Sequence, residues 1–274
     1  MFDPRRPSLR YRLDKGETLG AFWLSLGSVA LCELAARSRP DAIVIDMQHG
    51  LWDRTSLELA IGATPSDIPV LVRVAENSPL AIGQALDAGA EGVVVPLVET
   101  ARQARAAIRA AHYPPRGRRS GGGVRPLTDF VDYVDAMNRA VVVIVMIETK
   151  KGCKNARKIA AVDGVDMVFI GTGDLALSIG SFPQFDTSHE EACAAIQAAC
   201  RAEWTLCGTF TTSADGARAK REQGFRLVVT ANDGDIVMRG FNQASTQFKR
   251  ASDAAELPSP AVDAEKLPVA RASP

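Results

Sequence analysis

Long apolar runs are missing from this 274-residue chain: nowhere do about 18 uninterrupted apolar residues occur, so no membrane-spanning helix is expected. Net charge is missing as well. Thirty-two Lys+Arg balance 32 Asp+Glu, and no basic run is interleaved with aromatics, so a nucleic-acid partner is not expected. The five cysteines (Cys32, Cys153, Cys193, Cys200, Cys207) show neither CxxC nor Cys/His ligand spacing. They read as reduced, mostly buried thiols, not as a zinc site or a disulfide framework. The N-terminal MFDPRRPSLRYRLDKGE has arginines but no apolar segment behind them, so a cytoplasmic protein is expected. Finally, the first strand runs into LSLGS (Leu24–Ser28), which is not a GxGxxG or Walker loop.

What is present is alternation. Short β-rich apolar runs are expected as strands near Leu19–Leu26, Ala42–Met47, Val70–Val74, Gly92–Val98, Val141–Ile147, Met167–Ile170, Leu206–Phe210 and Leu227–Thr230. Helical patterns lie between them, near Val29–Ser38, Arg54–Gly62, Pro79–Ala88, Thr100–Ala111, Lys151–Ala161, His189–Glu203, Ala214–Gln223 and Asp235–Lys249. Eight such units without a dinucleotide loop favour a closed (β/α)8 TIM barrel over an open doubly wound sheet. The expected division is an N-terminal extension over residues 1–18, one barrel domain over 19–250 and a flexible Pro/Ala/Ser-rich tail over 251–274. The segment His112–Ala140 reads as an irregular loop. Its basic part, YPPRGRRSGGG (Tyr113–Gly123), reads as a solvated loop, with a phosphate or carboxylate contact as the alternative.

Four strands run into reactive side chains, and in a parallel barrel the C-terminal strand ends build the active site. Glu148 and Asp174 follow adjacent strands, which lie about 4.8 Å apart. Two hard oxygen ligands without nearby sulfur point to Mg²⁺ or Mn²⁺, with Co²⁺ as a further candidate; alternatively each acid caps the helix behind it. Arg73 ends a buried strand and is suited to holding a keto oxygen or carboxylate and stabilising an enolate, or else to a structural ion pair with Asp46 or Glu148. His49 is the only one of three histidines at a strand end. Imidazole titrates near neutral pH and can serve as a base if a carboxylate orients it. The turn Gly171-Thr172-Gly173-Asp174 offers backbone N–H groups to a small carboxylate.

At these residues the chain resembles the HpcH/HpaI aldolases, metal-dependent class II pyruvate aldolases. FWLSLGS, IDMQHG, VLVRV, ALDAGAEGVVVPLVET, YPPRGRRS, MIET and IGTGDLALSIG occur in that family's order between about Leu19 and Ala231. The resemblance implies a barrel that cleaves 4-hydroxy-2-oxo acids to pyruvate and an aldehyde, working as a homotrimer or homohexamer. Glu148 and Asp174 would hold the metal, Arg73 would stabilise the enolate, and His49 would be the base, directly or through a metal-bound water. Asp87 matches the acid that raises the basicity of this histidine. It ends a helix descending from the barrel mouth, so either a neighbouring subunit supplies it or Asp46 orients the imidazole instead. Trp23, Gln48, Met146, Thr172, Gly173 and Asp174 would contact substrate. Gln48 stands where the best-known members have glutamate, Met146 where they have a substrate-contacting glutamine, and GTGD replaces GPAD, so aldehyde specificity does not transfer. The alternatives are a citryl/malyl-CoA-type lyase, with Arg116–Arg119 as its nucleotide contact, and a catalytically silent barrel acting as a binding protein.

Overall fold

The computed structural model describes residues 8–124 and 130–253. Eight parallel strands close into one barrel in sequence order: β1 (Leu19–Leu24), β2 (Ala42–Asp46), β3 (Val70–Arg73), β4 (Gly92–Val95), β5 (Val142–Ile147), β6 (Met167–Ile170), β7 (Leu206–Thr209) and β8 (Leu227–Asn232). Outside them run α2 (Val29–Arg37), α3 (Arg54–Ala63), α4 (Pro79–Asp87), α5 (Ala101–Ala111), α6 (Phe130–Ala140), α7 (Lys150–Lys154), α8 (Ala156–Ala160), α9 (Thr172–Ile179), α10 (Thr187–Ala202) and α11 (Ala214–Glu222), and α12 (Asp233–Asp253) follows β8 in the chain. A first helix, α1 (Leu9–Asp14), precedes the barrel. The chain divides into two compact units, Met1–Ile236, which contains the barrel, and Val237–Pro274. Of the segment expected to be a flexible tail, residues 254–274 lie outside the described residues.

The strands read as continuous apolar runs because both faces are covered. Ile43, Ile45, Val72, Val143 and Val145 pack against the helices, whereas Val44, Leu71, Val94, Ile144, Met146, Met167 and Phe169 fill the barrel. Period-two alternation therefore sends residues 44 and 46, 71 and 73, and 144, 146 and 148 inward. α1 belongs to the same interior: Leu9 and Leu13 share the core of Leu19, Ala42 and Leu71. Arg10 of α1 reaches the Val141 carbonyl and Asp166, so this helix packs at the N-terminal ends of the strands.

Most helices after a strand begin with a side-chain cap. Ser28, Asp53, Ser78, Thr100, Thr149 and Ser213 each accept a backbone N–H three residues on. α9 is different, since Gly171 precedes it and no side chain caps it.

Three expectations change. Residues 130–140, expected within an irregular loop, form α6, because Met137 is buried and Phe130 and Tyr133 place their rings edge-on to Tyr113. The expected helix Lys151–Ala161 is split at Asn155, whose side chain leaves to bond the Glu99 carbonyl at 2.9 Å. Ahead of α10, an additional helix, α9, follows β6 directly.

Candidate active site

The inward alternation of the strands ends in charge at the barrel mouth. Asp46 and Arg73 are register partners on β2 and β3. Arg73 donates through Nε to Asp46 Oδ1 at 2.8 Å and through Nη2 to Oδ2. Trp23 Nε1 donates to the same Oδ2 at 3.1 Å, and the guanidinium lies over the Trp23 ring at 4.9 Å. Trp23 is wedged between Phe169 and Phe210, with ring centroids 5.8 and 5.7 Å away. Burial alone would raise the Asp46 pKa, but the hydrogen bonds and charge of Arg73, with the hydrogen bond from Trp23, hold it below the usual carboxylate range. The ion pair foreseen as one alternative for Arg73 is thus formed with Asp46, and Nη1 remains outside it.

Asp46 also accepts the backbone N–H groups of Gln48 and His49, at 3.0 and 3.2 Å. It fixes the turn that carries His49 and does not orient the imidazole. The His49 side chain is exposed. Asp87, the other expected partner, ends α4 and binds Arg119 Nη2 at 2.6 Å. Arg119 is not part of a solvated loop: its side chain is 1% exposed, packed over the Tyr113 ring at 4.6 Å and held by Asp87. Arg116 donates to the Asn138 carbonyl. Two of the three arginines in the Arg116–Arg119 cluster expected as a nucleotide contact are therefore engaged within the fold.

Glu148 follows β5, still facing inward, and is buried. Its Oε1 accepts the Leu97 N–H at 2.6 Å, while Oε2 is buried without a partner among the described residues. Leu97 adopts φ 55°, a left-handed conformation that L residues rarely take. Its loop is pinned by Glu99, which accepts from Thr149 Oγ1 at 3.0 Å and Lys151 Nζ at 2.9 Å. Burial, first, and then the charge of Asp174 push the Glu148 carboxyl up to about 7, against the opposing pull of the Leu97 N–H and Arg73. Two acids this close repel when both ionise.

A divalent cation fits this donor set. The orphaned Oε2 is a buried acceptor, and Gly171 leaves room beside it: a Cβ at residue 171 would sit 2.5 Å from that oxygen. No group of three or more His, Cys, Asp and Glu suited to a metal occurs among the described residues. Two carboxylates suit a hard cation that takes its other oxygens from water and substrate. Asp174 lies in the first turn of α9, beside Thr172 and Gly173, so the uncapped helix start opens next to the carboxylate pair. Met146, expected at the substrate, is buried in the barrel core and brings a thioether instead of a hydrogen-bonding amide. Gln48 keeps a buried Oε1 without a partner among the described residues.

A barrel whose mouth combines a carboxylate pair, an anchored guanidinium and an open helix start is equipped to stabilise an enolate, the intermediate of carbon–carbon bond cleavage beside a carbonyl. The sequence profile of the HpcH/HpaI aldolase/citrate lyase family matches residues 20–239. The chain is 38% identical over 231 residues to the hydroxypyruvate/pyruvate aldolase of Rhizorhabdus wittichii, covering 80% of this chain and 90% of that one. It is 34% identical to the 4-hydroxy-2-oxovalerate aldolase of Rhodococcus jostii, covering 89% and 97%. The crystal structure of an HpcH/HpaI aldolase/citrate lyase family protein from Burkholderia cenocepacia superposes with a TM-score of 0.84 at 33% identity, covering 89% and 99%. The chain belongs to the HpcH/HpaI aldolase/citrate lyase family and is a carbon–carbon lyase.

No signal in the sequence alone pointed to the Leu97 N–H, the Glu99 clamp or the Arg119–Asp87 pair. Each is made by residues at least 32 positions apart.

Proposed function

We propose that the chain cleaves 4-hydroxy-2-oxo acids reversibly to pyruvate and an aldehyde. The observation that carries this reading is the buried, unpartnered Glu148 Oε2 beside Asp174, below an open helix start and near Arg73. Glu148 and Asp174 would hold a divalent cation, Mg²⁺, Mn²⁺ or Co²⁺, which when bound supplies Lewis acidity toward the substrate oxygens. The first N–H groups of α9, at Thr172, Gly173 and Asp174, receive the substrate carboxylate. Arg73 is held flat by Asp46 and Trp23 and presents Nη1 to the 2-oxo oxygen, where negative charge grows. His49 removes the proton of the C4 hydroxyl. The C3–C4 bond then breaks, the aldehyde leaves, and the bonding electrons become the pyruvate enolate, which takes a proton at C3. Lys151 is paired with Glu99, and the reading assigns no lysine to a Schiff base.

Phe210, packed edge-on to the buried Trp23, would line the aldehyde end, with Gln48 and Met146 as the further expected contacts. We place the enzyme in the cytosol as a homotrimer or homohexamer, in which Asp87 of one subunit serves His49 of the next. Support comes from His49 itself, whose ring meets no carboxylate among the described residues of its own chain. No helix among the described residues is long and apolar enough to cross a membrane.

The test is turnover of a 4-hydroxy-2-oxo acid before and after EDTA treatment. Activity should vanish, return with Mg²⁺, Mn²⁺ or Co²⁺, and be absent in Glu148→Ala. Full activity in chelated protein, or faster turnover of malyl-CoA than of the oxo acid, defeats the reading.

A further inference from the structure

The uncapped start of α9 must be held by something other than a cap, because it aligns three functional groups at once. Gly171 walls the Glu148 carboxylate, the next N–H groups face the mouth, and Asp174 projects from the first turn. His189 lies behind this turn. It sits in the first turn of α10, is 7% exposed, and its Nε2 is 3.0 Å from the Thr172 carbonyl oxygen. A carbonyl can only accept, so Nε2 carries the proton. The ring is fixed edge-on to Phe185 at 5.1 Å, with Cys193 Sγ 3.8 Å from Nε2. α10 is itself anchored by Asp186, whose side chain accepts the backbone N–H groups of Ser188 and His189.

We propose that His189 is a positioning residue of the active site: its Nε2–H to the Thr172 carbonyl sets the alignment of the Gly171–Asp174 turn that receives the substrate carboxylate and the cation. This rests on the proposed role of that turn. A loosened turn weakens ground state and transition state alike, so KM should rise while kcat stays.

Three measurements decide it. In the wild-type protein, ring ¹⁵N resonances should show the neutral His189 as the Nε2–H tautomer; an Nδ1–H tautomer overturns the proposal, whatever the variants do. In Mn²⁺-saturated protein, His189→Leu should weaken pyruvate binding and raise KM roughly tenfold at nearly constant kcat, the loss of one buried hydrogen bond. His189→Gln, whose amide reaches the same position, should recover most of both. Unchanged KM and pyruvate affinity in His189→Leu, or a Gln variant no better than Leu, overturns it. If His189→Leu does not fold, the Gln variant and the tautomer carry the decision. Asp174→Asn separates the two readings. If it binds Mn²⁺ and pyruvate normally, the site assignment has failed; if it loses both while His189→Leu keeps them, only the role of His189 has failed.

Discussion

Replacing Glu148 with glutamine should stabilise the metal-free protein while disabling it. Burial and the neighbouring Asp174 raise the Glu148 carboxyl from the usual 4.5 to about 7. Well below pH 4.5 the carboxyl is neutral in both the folded and unfolded states, and no penalty exists. As pH rises toward 7, the unfolded chain ionises and the folded site resists, so stability falls; above 7 the deficit is constant. At about 1.4 kcal/mol per tenfold change the full deficit is about 3 kcal/mol. Glutamine does not ionise, keeps an oxygen for the Leu97 N–H and can donate to Asp174. In EDTA at about pH 8, Glu148→Gln should therefore melt roughly 6–12 °C above wild type, with the gap nearly closed at about pH 4. Adding Mg²⁺ or Mn²⁺ should raise the wild-type Tm and leave the variant unmoved. Calorimetric melts at the two pH values check this. A gap that does not change with pH, or a wild type as stable as the variant at about pH 8, refutes the reasoning.

Gly171→Ala would place a methyl 2.5 Å from Glu148 Oε2; Mn²⁺ affinity by calorimetry should fall more than about tenfold with the far-UV CD spectrum unchanged. Trp23→Phe keeps a ring under Arg73 but deletes the donor to Asp46, so kcat should drop about fivefold, the equivalent of one hydrogen bond of about 1 kcal/mol. On the proposed mechanism, which uses no lysine imine, borohydride added to enzyme turning over in pyruvate should leave activity intact and add no mass in intact-protein mass spectrometry.

Much of the barrel was legible because strands buried on both faces have nowhere to hide: β6 lies where the run Met167–Ile170 placed it, and the other seven differ mainly at their ends. The charged strand ends were legible for the same reason, since Arg73 and Glu148 interrupt runs that are otherwise wholly apolar. What stayed hidden depends on pairs remote in sequence. Arg119 looks like one of three surface arginines until Asp87 and the face of Tyr113 enclose it. His189 reads as a helix opener, and only the fold brings it to the carbonyl of Thr172, 17 residues back. The left-handed Leu97 carries no mark in a sequence, because nothing about leucine announces φ 55°.

The inward alternation along β5 puts Ile144, Met146 and Glu148 on one side and Val143, Val145 and Ile147 on the other. The strand thus behaves like a reading frame. Inserting or deleting a single residue at the start of β5 would turn the carboxylate out among the helices and swing Ile147 into the mouth, exchanging the face of every side chain that follows. Lengthening the connection beyond Thr149 leaves that frame untouched. Variation in this enzyme therefore has a wide corridor in its loops and almost none in the parity of a six-residue strand.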